Sequence, residues 1–149
     1  MDRRFETFTL LITGVNRCIR KIKAEEMAEF DLKTSHVSCL YYLYKTPSLT
    51  ARELCDVCEE DKANISRAIK FLETNDYLVP RDRSHRQYQH PLVLTEKGRR
   101  VGEYICRRVD SVLDEASRGL SDEHREIFYH SLALIHDNLQ HICAQYETK

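Results

Sequence analysis

Apolar residues recur every three or four positions toward both ends of the chain. The N-terminal set is Phe5, Phe8, Ile12, Val15, Ile19 and Ile22, and the C-terminal set is Phe128, Leu132, Ile135, Leu139, Ile142 and Tyr146. This spacing places each set on one face of an α-helix. We therefore expect one long amphipathic helix from Phe5 to about Glu29 and another that Ser121 caps. A leading helix of this kind either pairs with a partner chain or covers the core of its own domain.

Three shorter helices are predicted in the first half of the region between them. Thr34 is suited to cap the first of these helices, and Pro47 and Ser48 would end it. Thr50 and Glu53 have the spacing of a capping box at the start of the next helix. Asp61 is then a suitable N-cap for a third helix, which Asn75 and Asp76 would close. The apolar stripe of this third helix comprises Ile65, Ala68, Ile69 and Leu72.

The third short helix also carries small, polar or basic residues that lie outside its apolar stripe. They are Lys62, Ala63, Asn64, Ser66, Arg67 and Lys70. Two helices joined by a short turn, the second with such residues near its N-terminus, form a helix-turn-helix arrangement. The major groove of DNA admits one helix, where Arg can bond bidentately to guanine and Asn to adenine. The pattern therefore predicts a surface that recognises a DNA duplex.

A basic loop follows between two short apolar runs, Tyr77-Leu78-Val79 and Leu92-Val93-Leu94. We interpret the runs as strands and the loop 80–91 as a wing beside the recognition helix. Its cationic or potentially cationic residues are Arg81, Arg83, His85 and Arg86. These side chains suit the phosphate backbone or a neighbouring minor groove. The alternative is an ordinary solvated loop.

A further long helix is predicted to begin at Thr95-Glu96-Lys97-Gly98 and to end near Gly119. Its apolar face comprises Val101, Ile105, Val109, Val112 and Leu113. With only four Gly and three Pro in 149 residues, the chain should be mainly α with a small β-hairpin wing.

Charge is segregated toward the centre of the chain. Between Asp61 and Arg100 there are nine Lys or Arg and five Asp or Glu, a net charge of +4, so the remainder carries -5. A local excess of positive charge favours a polyanionic partner. No apolar run approaches the roughly 20 residues that cross a bilayer, and the N-terminus does not resemble a secretory signal. We therefore expect a cytoplasmic protein without membrane contact, in which the six cysteines are mostly reduced.

The segment DKANISRAIKFLETNDYLV, followed by PLVLTEKG, closely resembles the MarR family of winged-helix regulators. The shared features are Asp61-Lys62, Ser66-Arg67, Leu94-Thr95 and Lys97-Gly98, in the same helix order. The resemblance covers almost the whole chain. It implies a winged helix-turn-helix domain over 31–99, with dimerisation helices over 1–30 and 100–149.

The resemblance also implies how such a protein works. In the family the terminal helices intertwine into a homodimer, and the paired winged helices bind a pseudo-palindromic operator in double-stranded DNA. Most members are repressors that a small molecule or an oxidant releases. An effector pocket would lie between the DNA-binding lobe and the dimer helices, with Phe8, Tyr41 and Tyr44 as lining candidates. The principal alternative is a helical protein-interaction module that uses a degenerate winged helix.

The sequence departs from the family pattern at three places. Glu59 stands in the turn before the recognition helix, where Gly or another small residue is frequent. Asp76 stands where Gly usually ends that helix. The wing has Arg86-Gln87-Tyr88 in place of the common Asp-Arg-Arg run.

Cysteine and histidine chemistry offers further candidates. Cys55 and Cys58 lack a second ligand pair of zinc-site spacing, so we expect them to pack in the core. Cys18 lies among basic residues that favour a thiolate, and Cys39 precedes Tyr41, Tyr42 and Tyr44. By resemblance to peroxide-sensing relatives, Cys18 and Cys39 are the candidate redox sensors.

No cofactor, metal or catalytic site is predicted. His36, with Glu25 and Glu26, lies where zinc-sensing relatives place ligands, but the helix after the wing contains no His. We therefore expect His36 and the histidines of the last helix to be surface residues. The sequence has no phosphate-binding glycine loop, H-E-x-x-H motif or nucleophile elbow, so we do not expect an enzyme.

Overall fold

The computed structural model of the chain describes residues 4–82 and 89–147. Within them it has six α-helices and one short 3-10 turn at Ala28–Phe30. The helices are α1 (Arg4–Glu26), α2 (Thr34–Lys45), α3 (Ala51–Cys58), α4 (Lys62–Thr74), α5 (Glu96–Ala116) and α6 (Asp122–Glu147). All six predicted helices are confirmed. Extended pairing among the described residues is limited to one antiparallel bridge between Leu78 and Leu94, so the full hairpin wing stays a prediction.

The chain forms two compact units, residues 1–108 and 109–149. The first unit holds α1 to α4 and most of α5, and the second holds the end of α5 and all of α6. The predicted division into a DNA-binding domain over 31–99 and dimerisation helices on either side is a functional division, and it stays a prediction.

Helices α2, α3 and α4 pack around the core of the first unit, and we call this three-helix part the lobe. The core side chains with no more than 2% of their surface exposed include Leu40, Leu43, Leu54, Ile65, Ala68, Ile69, Leu72 and Leu78. The predicted buried stripe of α4 is thus confirmed. Burial of such side chains stabilises the lobe by about 1.5–3 kcal/mol each, and it fixes which face of α4 points away from the core.

Side-chain caps define where α3 and α4 begin. The Glu53 amide donates to the Thr50 hydroxyl at 3.3 Å, and the Thr50 amide donates to the Glu53 carboxylate at 2.8 Å. The Glu53 carboxylate also accepts from the Thr50 hydroxyl at 2.9 Å, and the two bonds that it accepts from Thr50 hold the pKa of Glu53 below its ordinary value. The Asp61 carboxylate accepts from the Asn64 amide at 2.8 Å. The predicted capping box and the predicted Asp61 cap are therefore confirmed.

The predicted cap of α2 was wrong by one residue. Lys33 occupies the N-cap position and Thr34 is already helical. The Lys33 amide donates to Nδ1 of His36 at 3.0 Å. The imidazole three residues after the N-cap thus satisfies the backbone amide of Lys33, a role that a Glu or Gln side chain usually has in a capping box.

His36 is buried, so its predicted surface position was also wrong. Its side chain is only 5% exposed, and its ring stacks on Phe71 at a centroid distance of 4.0 Å and an interplanar angle of 5°. Burial, followed by the nearby charge of Lys33, holds the pKa of His36 below its ordinary value, while Asp31 acts in the opposite direction. A helix-start position with polar neighbours in sequence concealed this contact with α4.

Thr95 joins the base of the wing to α5. Its hydroxyl donates to the Asp76 carbonyl at 2.6 Å and accepts from the Gly98 amide at 3.0 Å. Its amide donates to the Tyr77 carbonyl at 3.1 Å, next to the bridge between Leu78 and Leu94. One residue therefore caps α5 and closes the chain against the end of α4.

Lys97 and Gly98 complete this junction. The Lys97 ammonium donates to the Asn75 carbonyl at 2.8 Å and lies 4.2 Å from the centre of the Tyr77 ring. Gly98 lies so close to the Tyr77 carbonyl that a Cβ atom would overlap its oxygen and meet its carbon at 2.9 Å. The Thr-x-Lys-Gly motif is thus a structural clasp between α4 and α5, formed by Thr95, Lys97 and Gly98.

Two strained turns coincide with two of the three departures from the family pattern. Glu59 has φ 51° and ψ 40°, and Asp76 has φ 65°. Both lie in the left-handed region, which costs roughly 1–2 kcal/mol for residues other than Gly, with Asp better tolerated than most. The backbone keeps the conformation that Gly would adopt there.

Helices α1 and α6 each expose an apolar face in the single chain. On α1 the exposed residues include Phe8, Leu10, Leu11, Ile12, Val15, Ile19 and Ile22, with Leu10 at 73%. On α6 they include Ile127, Phe128, Leu134, Ile135, Leu139, Ile142 and Tyr146. Ser121 caps α6 as predicted, since its hydroxyl accepts from the His124 amide at 3.2 Å. The side chain of Phe5 lies outside the described part of the chain.

Substitution of Gly98 tests the clasp. Gly98→Ala should destabilise the protein by about 1–3 kcal/mol, because the new methyl group forces the α5 backbone away from Tyr77. Gly14→Ala is the matched control: a Cβ there meets nothing within 4 Å, and removing a helix-interior Gly stabilises by up to about 1 kcal/mol. Chemical denaturation measures both. A Gly98→Ala protein as stable as the wild type would contradict the close approach.

The buried imidazole predicts a pH dependence of stability. Because the folded state lowers the pKa of His36, the unfolded chain binds the proton more tightly, and stability should fall as pH drops below about 6.5. Urea midpoints at pH 7.5 and 5.5 should differ less for His36→Gln than for the wild type. His90→Gln, at an exposed position, is the control. An unchanged pH dependence in His36→Gln would refute this role for the imidazole.

Candidate nucleic-acid interface

The candidate interface is the outer face of α4 and its first turn. Lys62, Ala63, Arg67 and Lys70 are exposed, and Asn64 and Ser66 are half-buried. The buried stripe beside them, from Ile65 to Leu72, orients this face away from α2 and α3. All six predicted recognition residues thus lie on one surface of the lobe.

A hydrogen-bond network spans the start of this surface. The side-chain amide of Asn64 donates to Glu60 at 3.0 Å and to Asp61 at 3.1 Å. Its carbonyl oxygen accepts from the Arg67 guanidinium. Asn64 and Arg67, the two side chains best suited to base edges, therefore hold each other in place.

Sequence reasoning missed Glu60 as part of this network. Glu60 ends the α3–α4 turn and lies four residues before Asn64, a spacing at which side chains meet on a helix. That spacing was the available signal. With Glu59 and Asp61, Glu60 makes the turn acidic directly beside the basic face of α4. The surface is therefore mixed in charge, and a polyanion would meet its positive part only from Lys62 onward.

A shallow cleft separates α3 from the start of α4. It is lined by Ala51, Arg52, Cys55, Asp56, Lys62, Ile65 and Ser66. Arg52 is exposed on α3 and adds a cation that the sequence analysis did not assign to the interface. Its position as the second residue of α3 gave no signal for this, since any surface helix carries such residues.

Arg81 has a partner within the lobe. Its guanidinium Nε lies 2.7 Å from the Glu73 carboxylate of α4, and its amide donates to the same oxygen at 3.3 Å. The two side chains are only 19% and 20% exposed. The contact fixes the start of the wing against α4. The predicted wing residues Arg83, His85 and Arg86 lie outside the described residues.

The cysteines differ sharply in their surroundings. Cys18 is exposed on α1, whereas Cys39 is completely buried in α2. Interaction with the Cys58 thiol, followed by burial, raises the pKa of Cys39 far above its ordinary value. The same interaction lowers the pKa of Cys58. The arrangement therefore places the more readily formed thiolate on Cys58 and not on Cys39.

The three aromatic residues predicted to line an effector pocket occupy different surroundings. Tyr44 lines a cleft together with Pro47, Pro91 and Arg99. The Tyr41 ring packs edge-on against Tyr42 at 5.2 Å. Phe8 lies on the exposed apolar face of α1.

The described residues contain no group of three or more His, Cys, Asp or Glu side chains arranged to hold a metal ion. Glu26, considered with His36, instead accepts two bonds from the Arg108 guanidinium at 2.7 and 2.6 Å, and these bonds hold the pKa of Glu26 below its ordinary value. In the same part of the chain, no helix is both long and apolar enough to cross a membrane.

Comparison with known proteins supports this picture of the lobe. A family model described as "MarR family" matches residues 30–87. An uncharacterised HTH-type transcriptional regulator of Bacillus subtilis, YwoH, is 30% identical over 123 residues, which cover 80% of this chain and 89% of that protein.

Solved structures show the same fold. The chain superposes on the MepR protein of S. aureus in a DNA complex with a TM-score of 0.77 and 18% identity, over 89% of this chain and 97% of that one. A MarR family regulator from Listeria monocytogenes, solved with a 26mer DNA, gives a TM-score of 0.77 and 22% identity, over 86% and 85% of the two chains.

Proposed function

Because the chain belongs to the MarR family of transcriptional regulators, we propose that it binds a specific operator in double-stranded DNA. The carrying observation is the exposed polar face of α4, which the buried stripe of the same helix holds outward. A helix presented in this way fits the major groove. The structural neighbours MepR and the Listeria regulator, both solved with DNA, support the proposal.

In the proposed complex α4 supplies the sequence-specific contacts. Asn64 and Arg67 exchange their mutual hydrogen bond for base edges, adenine for Asn64 and guanine for Arg67. Lys62, Ser66 and Lys70 bind phosphates or neighbouring bases, and Ala63 allows close approach. In the free protein the Glu60 carboxylate accepts a hydrogen bond from the Asn64 side chain. In the complex a base of the duplex takes the place of Glu60.

The wing supplies the contacts that position the protein. Arg83, His85 and Arg86 contact the phosphate backbone or the minor groove. Arg81 contributes from the base of the wing, where its bond to Glu73 fixes the direction in which the wing leaves the lobe. This division assigns sequence recognition to α4 and register to the wing.

We further propose that the active form is a homodimer. The exposed apolar faces of α1 and α6 would remain in contact with water in a lone chain, at a cost of about 25 cal/mol for each Å². A second copy of the chain buries such faces symmetrically. Two lobes then face two half-sites, so the operator is pseudo-palindromic.

From the resemblance to a family in which most members are repressors, we propose that the protein acts as a repressor. A homodimer seated on its operator blocks access to the DNA, and a small-molecule or oxidant signal releases it. Tyr41, Tyr44 and Phe8 are the proposed effector-contacting residues.

Selection of bound sequences from a random duplex pool tests this function. We expect enrichment of a palindrome whose half-sites are about one helical turn apart, or a multiple of it. Affinity for the selected duplex should fall steeply with salt, because phosphate contacts release counterions. Absence of any enrichment would instead favour the protein-interaction module, which needs neither a palindrome nor a salt-dependent duplex contact.

Substitution of Arg67 tests the orientation of α4. Arg67→Ala should weaken binding of the selected operator by on the order of 1–3 kcal/mol and relax the preference at one base pair of each half-site. Arg107→Ala removes an exposed arginine of α5 and is the matched control. Fluorescence anisotropy with operator and scrambled duplexes measures both. Unchanged operator affinity in Arg67→Ala would exclude the proposed seating of α4.

A further inference from the structure

The side chain of Glu60 is half-buried in the turn between α3 and α4. Its carboxylate accepts a hydrogen bond from the side-chain amide of Asn64 at 3.0 Å. Its backbone amide donates to the Cys55 carbonyl at 3.2 Å, a bond that does not involve the side chain. A substitution of Glu60 can therefore remove the contact with Asn64 while this backbone bond of the turn remains.

The partners of Asn64 fix the orientation of its side-chain amide. A carboxylate can only accept hydrogen bonds, and a guanidinium can only donate them. The amide nitrogen of Asn64 therefore faces Glu60 and Asp61, at 3.0 and 3.1 Å, and the amide oxygen faces Arg67. A side-chain amide carries two hydrogens on its nitrogen, so the two acidic residues engage both of them in the free protein.

Adenine and guanine make different demands on these bonds. Asn64 would read adenine by donating one amide hydrogen to N7 and accepting from N6 with the amide oxygen. Because both amide hydrogens are engaged, this contact requires Asn64 to give up one carboxylate. Arg67 would read guanine by donating to O6 and N7, with a guanidinium that has five N–H donors. The guanine contact therefore breaks no bond to a carboxylate.

Of the two carboxylates, that of Glu60 is the one that an adenine would replace. Asp61 also caps α4, because its carboxylate accepts from the backbone amide of Asn64 at 2.8 Å, and this cap keeps it in place. The bond from Asn64 to Glu60 joins two side chains only. Hydrogen bonds to a charged acceptor are stronger than those to a neutral one. Adenine N7, which is neutral, therefore compensates only in part for the loss of Glu60.

We propose that Glu60 is a specificity-determining residue that weakens the preference of Asn64 for adenine, so that guanine, read by Arg67, is the stronger determinant of each half-site. Specificity is the difference between the affinities for two duplexes. The Glu60 carboxylate reduces that difference at the base pair of Asn64 and leaves it intact at the base pair of Arg67. This inference rests on the proposed DNA-binding function and adds to it the relative weight of two operator positions.

Selection from a random duplex pool with wild-type protein and with Glu60→Ala tests the proposal. The wild type should enrich one dominant guanine in each half-site, and Glu60→Ala should add a clear adenine at a second position. In anisotropy titrations of duplexes changed at single base pairs, the adenine preference should rise on the order of tenfold, because a charge-assisted bond no longer competes. The guanine preference should stay the same. An unchanged adenine preference in Glu60→Ala would overturn the proposal.

Two further variants separate the hydrogen bond from the charge. Asp56→Ala, the matched control, removes an exposed acidic side chain of α3 and should strengthen binding to every duplex, because phosphates are repelled less, without a change in base preference. Glu60→Gln keeps an acceptor for Asn64 but removes the charge, so its adenine preference should lie between those of the wild type and Glu60→Ala. An equal gain in adenine preference in Asp56→Ala would show that charge alone acts and would refute the proposal.

A double-mutant cycle tests whether Glu60 acts through Asn64. In an Asn64→Ala background, Glu60→Ala should no longer change the preference for adenine, since the amide that it restrains is absent. A gain that persists there would refute this role of Glu60 while the selected operator still supports the proposed function. Failure of the wild-type protein to enrich any duplex would instead refute the proposed function, and the role of Glu60 with it.

Discussion

The apolar stripe of α4, from Ile65 to Leu72, determines which face of this helix is exposed to a partner. Four side chains of this stripe pack against α2 and α3 with almost no surface exposed, so rotation of α4 about its axis would expose them at several kcal/mol. The polar face of the same helix is therefore directed outward by the burial of the opposite face. Every proposed base contact depends on this burial, because a recognition helix that could roll would present different side chains to the groove.

The side chains of Asn64 and Arg67 on this outward face are already ordered in the free protein. Asn64 bonds Glu60, Asp61 and Arg67 simultaneously, which reduces the rotamer freedom that binding would otherwise have to remove. The same acidic turn repels phosphate. The side chains of the site are therefore ordered in advance, but the acidic turn opposes the approach of phosphate. Duplexes whose bases replace the lost hydrogen bonds of Asn64 and Arg67 are favoured over those whose bases do not.

The sequence was sufficient for those features that local patterns control. The apolar spacing of α4, the capping box of Thr50 and the Asp61 cap each depend on residues within four positions of one another, and the structure agrees with all three. Contacts between helices distant in sequence were not accessible in this way. His36 stacks on Phe71 and Arg108 bonds Glu26, and no spacing rule links either pair. The six residues predicted for recognition do lie on α4, and their contact with DNA stays a prediction. The bond between Arg81 and Glu73 could be seen only in the fold.

The clasp of Thr95, Lys97 and Gly98 joins the end of α4 to the start of α5, so that the two helix ends move together. Its bonds to Asn75, Asp76 and Tyr77 connect the two helix ends directly. Helix α4, with 13 residues, is about 20 Å long. A tilt of about 10° at the clasp would therefore displace the far end of α4, where Lys62 and Asn64 lie, by about 3.5 Å, close to the rise of one base pair. A small tilt at the clasp would thus shift the proposed recognition residues by about one base pair along a duplex.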